Sequence, residues 1–350
     1  MKKLTLCCAT ALTALVLSST ASAADTVTIS GRAYAFNHMD TFLQGATIKV
    51  REIPGLSATT DANGDYTLQV PDDTNVTPYI EPPDGYNEID LQTFHPRGED
   101  IENANFQTPA DGEYAGLAAI LSVPLDPDTG RPQQCAIVTT ASDRDVRGVD
   151  YQTFWDRTPH GVPGATSTET PAIDGPTYFN QYVIPDTTAT ETSDDGGIVW
   201  TEVPAGTYRI ETTSPDTRFA SFLATCRNGR IINANPPWGA YELSPGEKPL
   251  GAGVVAASAT KVKTVANSKT RKVEVTIDAG EVTRVNATIR MNGTRVGHGR
   301  AQHLGPGTRK VIAQIQRATP RGKATLELKL RDAAGDVVKS SFDVKIPRPR

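Results

Sequence analysis

Gly45-Ala46-Thr47-Ile48-Lys49-Val50, followed by Thr59-Thr60-Asp61-Ala62-Asn63-Gly64-Asp65-Tyr66-Thr67-Leu68-Gln69-Val70-Pro71, decides the fold. Ile48 and Val50 alternate with Thr47 and Lys49, the pattern of a half-buried strand. Tyr66, Leu68 and Val70 again put every second side chain on one face. Between them, Asn63-Gly64 has the chemistry of a tight type I′ turn. The stretch therefore predicts strand, hairpin, strand. Asp61 to Asp65 superficially resembles a calcium loop. However, its glycine falls at the fourth position rather than the sixth, and no distal Glu follows, so turn chemistry explains it better.

The pattern recurs. Gly164-Ala165-Thr166 repeats Gly45-Ala46-Thr47, and Ser193-Asp194-Asp195-Gly196-Gly197 repeats the Asp-Asn-Gly turn. Val203-Pro204-Ala205-Gly206-Thr207-Tyr208 then leads into another alternating strand. On these residues the chain resembles the carboxypeptidase regulatory-like (transthyretin-like) β-sandwich family, over about residues 26–108 and 160–245. That resemblance implies a structural or binding module and points to no catalytic group. Intradiol dioxygenases, which use a related sandwich, need an H-x-H pair that is absent here. Transthyretin-like hydrolases end in Y-R-G-S, whereas this chain ends Pro347-Arg348-Pro349-Arg350, and no G-x-S-x-G elbow occurs.

Met1-Lys2-Lys3, an apolar run from Leu4 to Leu17, and Ala21-Ser22-Ala23 read as an export signal over 1–23. The run is shorter than the ~20 residues of a bilayer span. Removing it leaves Cys135 and Cys226, for which a disulfide is the expectation in an exported chain. Location outside the cytoplasm follows: periplasmic, cell-surface or secreted.

Further along, residue 31 is a candidate bulge in the first strand. Tyr114 to Val123 suits a buried strand or a helix, and 143–156 suggests a short helix that is the main exception to strand. Residues 246–257, rich in Gly, Pro, Ser and Ala, read as a linker. Beyond it, Val273, Val275 and Ile277, then Val285, Ala287 and Ile289, then Val311, Ala313 and Ile315, then Leu326, Leu328 and Leu330, alternate with polar partners. Phe342, Val344 and Ile346 close the set. This is an immunoglobulin-like pattern. The expectation is an all-β chain of tandem immunoglobulin-like and transthyretin-like sandwiches, divided at 24–110, 111–245 and 258–350.

Charge is split along the chain. Residues 258–350 carry 20 Lys and Arg against 7 Asp and Glu, while 24–257 carry 13 against 33. Arg284, Arg290, Lys329, Arg331 and Lys345 occupy the polar phase of their strands and are candidate contacts for an anionic polymer or membrane surface, the alternatives being a solvated face or docking on the chain's own acidic front. Tyr178, Phe179 and Trp238 sit beside Pro and Gly turns, and Tyr182 lies in the same aromatic loop as Tyr178 and Phe179. All four are candidate contacts for a sugar ring or protein partner, the alternative being packing against the neighbouring domain. Trp200, on a strand beside Ile198, reads as core. Adjacent Asp194 and Asp195 read as solvated turn residues. His298 and His303 are the closest approach to a metal pair, on a loop beside Gly299, Gly305 and Pro306. No cofactor, metal or nucleic-acid partner is expected. The function expected is an exported, non-enzymatic binding or structural role at the cell envelope; the alternative is a polysaccharide-active enzyme or its carbohydrate-binding accessory.

Overall fold

The computed structural model describes residues 25–247, 257–266, 270–305, 307–332 and 337–348. The signal-like segment 1–23 and most of the 246–257 stretch lie outside them. The chain is all-β, built as tandem sandwiches from several sheets. Among the described residues the α-helices are α1 (Asp111–Ile120) and α2 (Tyr151–Asp156). The longer one is therefore α1, at the position where strand and helix were both open, and not the 143–156 segment. Glu113 reaches back to the Ala110 N–H at 3.2 Å, and Tyr114 and Ala118, one turn apart, form its buried face. The 143–156 segment holds a single 3-10 turn, Arg144–Val146, and α2, whose Asp150 cap accepts from the Thr153 N–H at 3.0 Å.

The strands flanking Asn63-Gly64 do not pair with each other. Thr47–Val50 pairs with Ser57–Thr59 in one sheet, and Asp65–Pro71 pairs with Thr26–Ala35 in the facing sheet. The turn carries the chain between sheets. Nor is it type I′: Gly64 has φ 76°, but Asn63 is not in the left-handed region. The Gly64 N–H donates to Asp61 O, and the Asp61 carboxylate accepts from the N–H groups of Asn63 and Asp65. Asp61 thereby sets a type I-like turn closed by glycine. Gly31 is not a bulge either. It pairs in register with Tyr66, and a Cβ there would stand 2.3 Å from Ala104 O. The ladder irregularity lies at Tyr34/Ala35.

The two motif copies share one hydrogen-bonded clasp. Thr60 Oγ1 accepts from the Ala46 N–H at 2.9 Å and donates to Leu43 O at 2.5 Å. Thr192 Oγ1 accepts from the Ala165 N–H at 2.9 Å and donates to Val162 O at 2.6 Å. In both copies the threonine's own backbone pairs with the Ala, and its carbonyl takes the preceding Gly N–H. One buried hydroxyl thus ties the entry to the first motif strand to the crossover.

The first two sandwiches are fused through one sheet. Ile231–Ala234 runs parallel to both Ile89–Asp90 and Cys135–Ser142, so a single ladder crosses from one to the other. The Cys135–Cys226 disulfide joins that sheet to the small facing sheet of Thr166–Thr170, Gly206–Thr213 and Phe222–Cys226. It closes a 91-residue separation, for which chain-entropy reasoning gives about 4–5 kcal/mol. Trp200 lies in this second core, as its strand position implied, with its Nε1 donating to Glu169 at 3.0 Å.

The C-terminal strands are Ala257–Ala266, Arg271–Ala279, Thr283–Met291, Thr294–Leu304, Gly307–Ile315, Gly322–Arg331 and Val337–Ile346. Their spatial order is first, second, fifth, fourth, third, sixth, seventh. The second pairs with the fifth and the third with the sixth, a Greek-key arrangement of immunoglobulin type. The alternating apolar residues read from the sequence are its buried core, with Phe342 partly buried against it.

Thr60→Val and Thr192→Val keep side-chain shape but strand a buried N–H and carbonyl. Urea unfolding should show a loss of about 1–3 kcal/mol for each. The exposed neighbour Thr59→Val should stay within about 0.5 kcal/mol.

Candidate basic binding face

The third, fourth, sixth and seventh strands of the C-terminal sandwich turn their polar phase to solvent. Register, which sequence alone does not supply, sorts these residues into rows across the strands. Arg300 stands opposite Asn286, Asn286 opposite Lys329, and Lys329 opposite Lys339. At ~4.8 Å per strand this row of three cations and an amide spans about 14 Å. On one side of it, Arg284 faces Arg331. On the other, His298, Thr288, Glu327 and Ser341 form the next row. Farther along, Lys323 faces Lys345.

Three like-charged pairs are therefore directly opposed on one sheet face: Arg284–Arg331, Lys329–Lys339 and Lys323–Lys345. Such pairs disfavour folding. Among the described residues, none of the six forms an ion pair. Arg290 differs, because its guanidinium donates to Glu327 at 2.9 Å and is neutralised locally. The face encloses a groove of about 700 Å³ whose titratable lining is Arg295, His298, Arg300, Glu327, Lys329 and Lys339. Of the five cations singled out in sequence, Lys329 lines the groove. Arg284 and Arg331 extend its row pattern, Lys345 lies beyond it, and Arg290 is paired. Arg300 and Lys339 were missed, since their importance comes from register.

His298 lies on a strand in this groove, not on a loop. Among the described residues, no cluster of three or more His, Cys, Asp or Glu could hold a metal. No helix among them is long and apolar enough to cross a membrane.

The aromatic candidates do not form an exposed platform. Trp238 is buried because it fills the first core: its ring meets Phe94 at 5.3 Å edge-on, and Nε1 donates to Glu102 O. Tyr178 is core as well, its hydroxyl accepting from the Ser167 N–H. Phe179 is buried and walls a small cavity. Tyr182 alone of the four is exposed, at 72%. Asp195 is half-buried rather than solvated, and burial raises its carboxyl above the usual range.

No protein-family description matches the chain, and no curated protein does. Among solved structures, a DUF3823 family protein from Bacteroides ovatus is 11% identical, covering 61% of this chain and 100% of its own, with a TM-score of 0.22. A tetra-tandem repeat from the extending region of a large adhesion protein is 13% identical, covering 92% of this chain and 74% of its own, with a TM-score of 0.23. A streptococcal ancillary pilin is 10% identical, covering 93% and 100%, with a TM-score of 0.19. At these scores no function is carried over from them.

Lys329→Glu places a carboxylate opposite Lys339 where a cation stood. The expected outcome is a gain of about 0.2–1 kcal/mol in urea unfolding. A loss would mean that the cation has a structural role.

Proposed function

We propose that the chain is an exported, non-enzymatic binding protein of the cell envelope, and that its C-terminal sandwich holds an anionic polymer across the basic sheet face. In this reading the units are 24–110, 111–245 and 258–350, joined through 246–257, and the first two carry the regulatory-like module. The observation that carries the proposal is the set of directly opposed, unpaired cations. Three such pairs on one face cost stability. Glu327 and Asp343 share the face, but among the described residues no carboxylate pairs with any of the six cations, so an external polyanion is the complementary ligand. The row of Arg300, Lys329 and Lys339 leads from strand to strand, which suits an extended chain laid across the strands. An acidic envelope polysaccharide or a phosphate-linked polymer has that chemistry.

The test uses the full chain and immobilised dextran sulfate, with neutral dextran as control. Binding should be retained on the sulfated polymer alone and fall steeply above ~0.15 M salt, where the Debye length is about 8 Å. Arg300→Glu, Lys329→Glu and Lys339→Glu combined should weaken it at least ~10-fold, while Lys49→Glu, whose amine is already held by Glu81, should not. Binding of the triple variant within about twofold of the parent chain would overturn the assignment.

A further inference from the structure

A second, chemically opposite cavity lies at the seam of the first two sandwiches. It encloses about 100 Å³. Its walls include Phe36 from the first sandwich, Phe154 and Trp155 from α2, and Phe179 beside the turn at 180–184. Helix α2 is anchored from both sides: Asp150 caps it, and the Tyr151 hydroxyl donates to Met39 O at 2.8 Å. The cavity is lined by no Lys or Arg, and Asp195 is its one acidic residue.

We propose that this cavity binds a small organic ammonium group, its rings facing the cation and the Asp195 carboxylate balancing the charge. Asp195 Oδ2 accepts from the Gly197 N–H at 3.1 Å, and among the described residues no cation pairs with it. Glycine at 197 is what lets the carboxylate and the Phe179 ring converge. A Cβ there would stand 2.5 Å from Asp195 Oδ2 and 2.8 Å from Phe179 Cγ. A half-buried carboxylate without a counter-charge is costly, and burial accordingly raises its proton affinity. A ligand cation removes that cost while meeting aromatic faces, which attract ammonium groups.

The other titratable lining group does not compete. His160 packs its ring 4.7 Å from Phe154, and burial lowers its proton affinity, which favours the neutral ring. Its Nδ1 is buried with no hydrogen-bond partner among the described residues, leaving it for a ligand N–H or hydroxyl. The rim carries a further mark. Val183 lines the cavity with φ 60°, a left-handed conformation that a β-branched residue holds at a cost of about 1–3 kcal/mol. Its neighbours in the turn include exposed Tyr182 and Ile184. This site stands independently of the basic face, since its charge and position are different.

The experiment is calorimetric titration of the unmutated full chain with choline, and with the neutral carbon isostere of choline, dimethylbutanol. Choline should bind at millimolar affinity or tighter, and the isostere at least ~10-fold more weakly. Asp195→Asn keeps an acceptor for Gly197 and should cost choline at least ~10-fold; Trp155→Leu, at a partly exposed wall, should also weaken it. Equal binding of choline and its isostere would overturn the proposal. So would the absence of choline binding at about 50 mM, or glucose binding more tightly than choline. The isostere comparison needs no variant to fold.

Discussion

A guanidinium from the acidic part of the chain is buried against two carboxylates from the basic part. Arg209, on the Gly206–Thr213 strand, donates from Nε to Glu281 at 2.9 Å and from Nη2 to the other Glu281 oxygen, with Asp332 at 3.5 Å. All three side chains are essentially inaccessible to solvent. Ser221 takes a further N–H at 3.1 Å. Removing a guanidinium from water costs several kcal/mol, and two carboxylates with good geometry are what offset it. This contact joins the C-terminal sandwich to the second one, and its polarity is the reverse of the chain's overall charge split. Among the described residues, none of the six outward cations forms an ion pair with the acidic part of the chain.

The C-terminal sandwich was legible because its information is local. Val273, Val275 and Ile277 alternate with polar residues, and a period of two is enough to name the buried face. The Gly-Ala-Thr stretches and the glycine-closed turns were also legible as a repeat, but the shared role of Thr60 and Thr192 was not. What local chemistry does not carry is partnership. The Asp61–Gly64 turn serves a crossover between sheets as well as it would a hairpin, and only the pairing of Asp65–Pro71 with Thr26–Ala35 distinguishes the two. Trp238 lies in a Pro- and Gly-rich turn that suggests exposure, yet contact with Phe94, far away in sequence, buries it.

The same limit applied to the candidate sites. Polar phase identified Lys329 as outward-facing, but not that Arg300 and Lys339 share its row. That fact depends on the register of three ladders. Likewise, Asp195 reads as an ordinary turn residue until α2 and the sheet place aromatic rings beside it. The seam cavity is an anionic cup among rings, and the C-terminal face is a cationic groove. Opposite charge in separate places is consistent with two ligands of different chemistry.

Direct contact between a polyanion and the Lys329–Lys339 row would shield both amines from reagents. Acetylation of surface lysines, followed by mass spectrometry of the full chain with and without dextran sulfate, tests it at single residues. Lys329 and Lys339 should become protected at least ~5-fold at low salt while Lys49, on the first sandwich, is unchanged. Uniform protection of all three lysines, or protection of Lys49 alone, would contradict it.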